Sequence, residues 1–270
     1  MSPWLETCRA AVEDVRRVLG ELPGRAQREP VVGRGEGGDD TVAVDQAAET
    51  AIVDVLERLH EAGESFTLVS EELGERRFGD DPVLWVVLDP IDGSLNAKRG
   101  IPHFSLSLAV ADGPTMGDVF YGYVYDFGTG EEWTAQRGAG AFLNGTPLGG
   151  ERPKDRIEIL AFEATLTSLV AEKAAAVAPI AYRLRIMGSL AIALCNLAAG
   201  RIDGVCSLKP ARSVDVAAGQ LVVRECGLAV ELIDAPPFAA APLDVVGRSR
   251  IAAAGTPELC AEIAAALTAT

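Results

Sequence analysis

The sequence predicts a mixed α/β fold in two parts, residues 1–150 and 151–270. In the first part helical periodicity gives way to alternating strand patterns, which indicates an antiparallel sheet flanked by helices. In the second part strand and helix patterns alternate along the chain, which is typical of a smaller α/β unit. Apolar residues make up 49% of the chain and charged residues 23%, so a substantial core is expected and disorder is not.

The first part begins with two predicted amphipathic helices. Apolar residues recur at three- and four-residue steps over residues 4–19 and again over residues 42–59. The stretch GRGEGGDD, residues 33–40, separates them and has the composition of a mobile loop. From residue 66 to about residue 148 the apolar period is two, and FLNGTPL contains an Asn-Gly hairpin turn. These patterns predict a sheet of several strands.

The second part is predicted to alternate between the two element types. The expected strands are IEILAFEA, AYRLRIMG, DGVCS and LAVELID. The expected helices are TLTSLVAEKAAAVA, the segment from Ser189, VDVAAGQLVVRE and the alanine-rich segment from Pro257.

Charge and composition exclude several classes of protein. The net charge of −15 argues against a nucleic-acid partner. The apolar stretch at 189–200 is well short of the ~20 residues that span a bilayer, so no membrane association is expected. The N-terminal segment carries acids at helical spacing, unlike a signal peptide, and the five cysteines form no C-x-x-C pair. We therefore expect a cytoplasmic protein with reduced thiols.

A glycine pattern near the N-terminus raises the possibility of a dinucleotide site. Gly33, Gly35 and Gly38 fit G-x-G-x-x-G, but the fingerprint requires a strand before it and a helix opening directly after it. Here only PVV precedes the glycines and DDTVAVD follows them, so a loop is the better interpretation.

Two aspartates end the most apolar predicted strand of the first part. In VLWVVLDPIDGS, Asp89 and Asp92 bracket a short turn that continues into Gly93 and Ser94. Haloacid-dehalogenase-type phosphatases need two aspartates spaced by two after the strand. Asp89 and Asp92 are spaced by three, so this class of phosphatase is excluded. A polar turn in which Asp92 caps a short helix remains open, but it leaves Asp89 unexplained, because an unpaired carboxylate at the tip of a buried strand is costly.

A divalent cation would account for these carboxylates. Mg²⁺ prefers carboxylate and carbonyl oxygens and binds substrate phosphate while keeping several waters. Other acids are available, since Glu71 and Glu72 end another predicted strand and Asp215 begins a predicted helix. Bound cations would also let a strongly acidic protein bind an anionic substrate.

Three of these stretches together resemble a known family. SEE at 70–72, DPIDGS at 89–94 and SVDVAAGQLVVRECG at 213–227 are similar to the signature blocks of the inositol monophosphatase family. Further similar stretches are VAVDQAAE at 42–49, QRGAGAFLNG at 136–145 and GSLAIALCNLAAGRIDG at 188–204. The resemblance implies a layered αβαβα sandwich and a Mg²⁺-dependent, Li⁺-sensitive phosphatase, commonly a homodimer, that acts on a small phosphorylated metabolite.

The resemblance also implies a metal-ligand set. Glu71, Asp89 and the main-chain carbonyl of Ile91 would hold one Mg²⁺, and Asp89, Asp92 and Asp215 would hold a second. A third, weaker ion would lie near Glu71. Two such ions can stabilise both the attacking and the leaving oxygen of an in-line displacement.

Other residues are implied to act on water and substrate. Asp45 and Ser94, together with the metal ligand Glu71, would orient the attacking water, and backbone N–H groups of Gly93 and Ser94 would bind phosphate. The remaining implied substrate contacts are Gly188, Ser189 and Asp215. For Gly188 and Ser189 a plain helix cap is an equally open interpretation.

The substrate is less well defined than the chemistry. Val214 stands where the commonest members have Trp, a form similar to microbial members that hydrolyse fructose 1,6-bisphosphate as well as inositol phosphates. Inositol monophosphate is the first expectation; histidinol phosphate, a nucleotide 3′-phosphate, and a catalytically silent homologue acting through a partner remain alternatives. The charged residues that could contact the rest of the substrate, or simply be solvated, are Arg34, Asp203, Lys209 and Arg212.

Overall fold

The computed structural model describes residues 3–38, 40–150 and 154–269. The helices are α1 (Pro3–Glu21), α2 (Arg25–Arg28), α3 (Ala43–Glu61), α4 (Ser94–Arg99), α5 (Thr167–Val177), α6 (Leu190–Ala198), α7 (Ser213–Glu225) and α8 (Pro257–Thr268), with short 3₁₀ turns at Met116–Asp118 and Phe238–Ala240. The strands are β1 (Val31–Arg34), β2 (Asp40–Val42), β3 (Phe66–Ser70), β4 (Gly74–Phe78), β5 (Leu84–Asp92), β6 (Ser105–Ala111), β7 (Val119–Asp126), β8 (Glu132–Gln136), β9 (Gly140–Leu143), β10 (Thr146–Pro147), β11 (Ile157–Glu163), β12 (Ala181–Arg185), β13 (Gly204–Ser207), β14 (Ala229–Leu232) and β15 (Ile251–Ala254).

Three apolar clusters hold five layers together in the order αβαβα. The first joins α1 and α3 to one face of the large sheet, where the ring of Phe66 stacks on Phe78 at 4.7 Å and meets Trp4 edge-on at 6.1 Å. The second cluster lies between the two sheets, and the third joins α5 and α8 to the outer face of the small sheet. The predicted layered sandwich is therefore confirmed.

The large sheet contains eight strands in the order β10-β9-β8-β7-β6-β5-β3-β4. The expectation of a wholly antiparallel sheet is corrected at one place, because β3 and β5 run parallel, with Ser70 opposite Leu88. The hairpin partner β4 lies outside β3 at the sheet edge. Since parallel strands end at the same edge, the residues after Ser70 and after Leu88 are brought side by side.

Helices α6 and α7 form the middle layer and belong to the second half of the chain. Their buried side chains share a cluster with Trp133 of β8 and Val205 of β13, so the central core draws on both sides of residue 150. Helix α7 lies so close to β7 that a Cβ atom on Gly122 would come within 2.8 Å of the Ala218 carbonyl oxygen. This close approach sets the distance between α7 and the large sheet.

The small sheet is mixed and has the order β12-β11-β13-β15-β14. Strand β11 is parallel to β12 and β13, whereas β15 is antiparallel to both of its neighbours. From β11 to β14 strands and helices alternate as the sequence patterns predicted, whereas β15 is a strand that those patterns missed. None of the described helices combines the length and apolar character that crossing a bilayer requires.

The stretch predicted as a mobile loop is described at residues 33–38 and 40, with residue 39 outside the described residues, and part of it is paired in strands. Gly33 and Arg34 pair with Thr41 and Asp40 in an antiparallel strand pair. At its tip the N–H of Gly37 donates to the carbonyl oxygen of Glu71 at 3.1 Å. The tip therefore lies against the end of β3, and the glycines have none of the strand-to-helix context of a dinucleotide site.

We expect Gly122→Ala to lower the free energy of unfolding by about 1–3 kcal/mol, because the added methyl group meets the backbone of α7 rather than a flexible side chain. The measurement is urea unfolding followed by circular dichroism. The control is Gly20→Ala in α1, where a Cβ atom meets nothing within 4 Å and helix propensity favours alanine. Equal stabilities for the two variants would contradict this account of the helix–sheet contact.

Candidate active site

Three carboxylates from three separate elements meet where the two sheets face each other. Glu71 follows β3, Asp89 lies in β5, and Asp215 lies in the first turn of α7. Each offers a carboxylate oxygen within 4.8 Å of the other two. The parallel pairing of β3 and β5 brings Glu71 and Asp89 together, and the packing of α7 on the large sheet brings Asp215 to them.

A bulge at the end of β5 shapes the DPIDGS turn. The pairing with β6 shifts register between Asp89, which faces Ser107, and Asp92, which faces Ser105. Within the bulge the N–H of Ile91 donates to Asp89 Oδ1 at 3.0 Å, and the Ser94 hydroxyl donates to the Ile91 carbonyl oxygen at 3.0 Å. Ile91 thus stands two residues after Asp89 and directly before Asp92.

Asp92 lies outside the group of three carboxylates. Its Oδ2 accepts hydrogen bonds from the Ser189 hydroxyl at 2.5 Å and from the Ala191 N–H at 2.7 Å. Asp92 therefore accepts hydrogen bonds from the start of α6, a helix about 100 residues later in the chain. It does not cap α4, whose N-cap is Gly93 and has no side-chain cap hydrogen bond. The interpretation of Asp92 as the cap of a short local helix is corrected accordingly.

Gly93 and Gly188 allow the turn and the start of α6 to approach each other closely. Both have positive φ angles, 97° and 94°. A Cβ atom on Gly93 would lie 2.9 Å from the Gly188 carbonyl oxygen, a distance real Cβ atoms do not adopt. Ser189 caps α6 by accepting the Ile192 N–H at 3.2 Å, so its capping role is observed.

Asp45 is buried on α3 behind this turn. Burial, followed by the charge of Glu72, raises its pKa to about 7, while Ser94 opposes the shift through a hydrogen bond. Among the described residues, Asp45 Oδ1 has no hydrogen-bond partner. A buried acceptor of this kind is suited to a water molecule.

The electrostatics of the site favour a bound cation. Burial raises the pKa of Glu71 to about 8 and that of Asp92 to about 6. The pKa of Asp89 is also raised, first by burial and then by the charge of Glu71. Carboxylates so close together resist ionising, and a divalent ion bound to their oxygens would offset both effects. The donor set is all oxygen, which fits Mg²⁺.

Comparison with known proteins agrees with this geometry. The inositol monophosphatase family profile matches residues 4–269. The fructose-1,6-bisphosphatase/inositol-1-monophosphatase of Methanothermobacter thermautotrophicus is 32% identical over 268 residues, 95% of this chain and 93% of that protein. Nus factor SuhB of Escherichia coli is 36% identical over 203 residues, 71% of this chain and 72% of that protein. A solved inositol monophosphatase–fructose 1,6-bisphosphatase has a TM-score of 0.82 at 27% identity, covering 97% of this chain and 99% of that one.

The chain belongs to the inositol monophosphatase family. Membership confirms the resemblance drawn from the sequence motifs and places the chain among metal-dependent phosphatases. The carboxylate group lies where the family's signature blocks meet in this chain, although 144 residues separate Glu71 from Asp215 in the sequence.

The charged residues named as possible substrate contacts lie in different places. Asp203 accepts the N–H groups of Glu158 and Ile159, each at 2.9 Å, at the start of β13. Lys209 is exposed beyond the other end of β13, so Asp203 and Lys209 do not share one surface. Arg34 is exposed in β1, and its guanidinium donates to the Gly38 carbonyl oxygen at 3.2 Å.

Arg212 is the exception, because its side chain lies among the carboxylates. It donates to Glu71 and approaches Asp215 Oδ1 at 3.5 Å. Val214, which stands where the commonest family members have Trp, is 1% exposed and belongs to the core cluster between the sheets.

Glu163 is a site-supporting residue that the sequence reasoning missed. It ends β11, is 1% exposed, and its two oxygens accept the N–H groups of Met187 at 3.2 Å and Gly188 at 2.7 Å. An acid at the last position of the apolar strand IEILAFE was the available signal, the same signal that identified Asp89. Glu163 holds the segment that leads into α6.

Burial raises the pKa of Glu163 to about 8, so Glu163→Gln should change how stability depends on pH. Between about pH 4.5 and 8 the folded state holds a proton on Glu163 that the unfolded state has lost, so the free energy of unfolding falls as pH rises. This one group contributes a slope of up to about 1.4 kcal/mol per pH unit. Urea unfolding across this range should give a shallower slope for the variant.

Glu158→Gln in the same strand is the control. Lys154 lowers the pKa of Glu158, so its titration lies below this pH window and the slope should match that of wild type. An unchanged slope for Glu163→Gln would contradict the assignment of a raised pKa to this carboxyl.

Proposed function

We propose that the protein is a Mg²⁺-dependent phosphatase that hydrolyses the phosphate monoester of a small polyol or sugar. Inositol monophosphate is the first candidate substrate and fructose 1,6-bisphosphate the second. The observation that carries the proposal is the convergence of Glu71, Asp89 and Asp215, whose oxygens lie within 4.8 Å of one another. The relative from Methanothermobacter thermautotrophicus and the solved structure are each named for both activities, which supports both candidate substrates.

The chain offers ligands for two cations and a weaker third near Glu71. Glu71, Asp89 and the Ile91 carbonyl oxygen would hold one ion, and Asp89, Asp92 and Asp215 the other. Asp92 has one oxygen bound to the start of α6 and would contribute the other to the second ion. When bound, Mg²⁺ stabilises negative charge on phosphate oxygens and lowers the pKa of a water molecule.

The residues around the turn bind phosphate and orient water. Asp45 Oδ1, buried and without a protein partner among the described residues, accepts a hydrogen bond from the attacking water, and Ser94 and Glu71 complete its orientation. The backbone N–H groups of Gly93 and Ser94 donate to phosphate oxygens. Water attacks phosphorus in line and loses a proton, the bond from phosphorus to the polyol oxygen breaks, and that oxygen takes up a proton in balance, with no phosphoenzyme intermediate.

The start of α6 would contact the polyol. Gly188 lies against Gly93 of the phosphate-binding turn, and Ser189 is bound to Asp92. Hydroxyl groups of the substrate would contact this segment, and Asp215 would be a further substrate contact. We further propose a cytoplasmic homodimer, as implied by the resemblance to the family.

Glu71→Gln should reduce Mg²⁺-dependent phosphate release by at least about a hundredfold, because it removes a metal ligand without removing volume. Phosphate release is measured with and without Mg²⁺. Glu57→Gln, which removes an exposed acid paired with Arg76, is the matched control and should keep wild-type turnover. Turnover of Glu71→Gln within a few-fold of wild type would remove Glu71 from the ligand set.

A substrate panel tests the proposed specificity. Inositol 1-phosphate, fructose 1,6-bisphosphate, histidinol phosphate and 3′-phosphoadenosine 5′-phosphate are compared, with strongest turnover expected for the first two and inhibition by millimolar Li⁺. Turnover of only histidinol phosphate or only 3′-phosphoadenosine 5′-phosphate would contradict the polyol or sugar phosphate assignment and identify that compound's class as the substrate. A relative bears the name Nus factor SuhB, and silence on all four despite Mg²⁺ binding would favour a non-catalytic role.

A further inference from the structure

The guanidinium of Arg212 lies inside the carboxylate group. It donates to Glu71 Oε1 and lies 3.5 Å from Asp215 Oδ1, and the Arg212 main-chain N–H donates to Asp215 Oδ2 at 2.7 Å. Two of the three carboxylates are thus engaged by one side chain. That side chain is 10% exposed, so solvent screens these contacts little.

The positive charge of Arg212 persists at this position. Burial by itself lowers the pKa of Arg212, but the carboxylates of Asp215, Glu71 and Asp89 outweigh burial and raise it. The group is therefore a permanent cation within the reach of all three acids.

The hairpin tip is shaped to hold the guanidinium there. A Cβ atom on Gly37 would lie 2.7 Å from Arg212 Nη1, so glycine at this position leaves the space that the guanidinium fills. Gly37 is itself anchored on both sides, by its N–H to the Glu71 carbonyl oxygen at 3.1 Å and by its carbonyl oxygen to the Arg248 guanidinium. The close packing places Arg212 between the tip and the carboxylates.

We propose that Arg212 is an internal cation that competes with divalent metal ions for Glu71 and Asp215 and thereby sets the metal affinity of the site. The inference rests on the proposed metal site. A metal ion and the guanidinium need the same carboxylate oxygens, so each must weaken the binding of the other by the same factor. Arg212 is accordingly a positioning residue: it keeps the carboxylates together when metal is scarce and moves away from at least one of them as metal binds.

The test measures metal binding directly, by titrating the whole protein with Mn²⁺ and following free Mn²⁺ by electron paramagnetic resonance. Arg212→Gln should bind Mn²⁺ about tenfold more tightly than wild type, within the range usual for coupled sites. Arg212→Lys keeps the charge but loses the planar fork, so its affinity should fall between the two. This second variant also covers a failure of Arg212→Gln to fold.

The control is Arg248→Gln, which removes one positive charge near the same hairpin tip. The Arg248 guanidinium donates to a carbonyl oxygen of Gly37 and to none of the three carboxylates in the described contacts. Its Mn²⁺ affinity should stay within twofold of wild type. An equal gain for Arg248→Gln would assign the effect to the general field of the protein and overturn the proposal.

The Mg²⁺-induced rise in melting temperature is an independent measure of metal affinity. It should be larger for Arg212→Gln than for wild type, because tighter binding to the folded state stabilises it more. Unchanged or weaker Mn²⁺ binding by both Arg212 variants, with clear binding by wild type, would overturn the competition alone. Absence of Mn²⁺ binding in every variant would overturn the metal site itself.

Discussion

Buried negative charge at the shared edge of β3 and β5 is the constraint on which the rest of this structure depends. Glu71 and Asp89 are delivered there by a parallel strand pair, and Asp215 is delivered by a helix from the other half of the chain. Carboxylates in such a position raise one another's pKa and are costly to ionise. A fold that keeps them together must supply compensating charge, either its own or that of a bound cation.

Much of the surrounding architecture serves this arrangement. The bulge in β5 turns Asp92 away from Asp89 and towards the start of α6, where it accepts two hydrogen bonds. The close glycine contact between Gly93 and Gly188 brings the two segments together. Glu163 then fixes the segment before α6 from the small sheet. The site is therefore built at the seam between the sheets, and both halves of the chain are needed for it.

The negative net charge of the whole molecule is also compatible with an anionic substrate if cations bind at the site. A chain with a net charge of −15 repels a phosphorylated substrate at long range. At the site itself, bound cations would be the largest local charges and would reverse that repulsion. Arg212 holds part of that positive charge within the protein, at the position where its carboxylate partners are also the proposed metal ligands. The same electrostatic demand thus accounts for the proposed metal binding at the site and for the buried arginine.

The sequence by itself determined the elements and the family. Periodicity located the amphipathic helices and most strands, and an acid at the end of an apolar strand singled out Asp89, because an unpaired charge there requires a partner. Glu71 and Asp215 were assigned through the family resemblance. Only the tertiary structure decided the parallel pairing of β3 with β5, the pairing of β1 with β2, and the places of Arg212 and Glu163. Local patterns report which face of an element is buried. They carry no information on which distant element covers that face, and long-range packing sets the partners of a charged side chain.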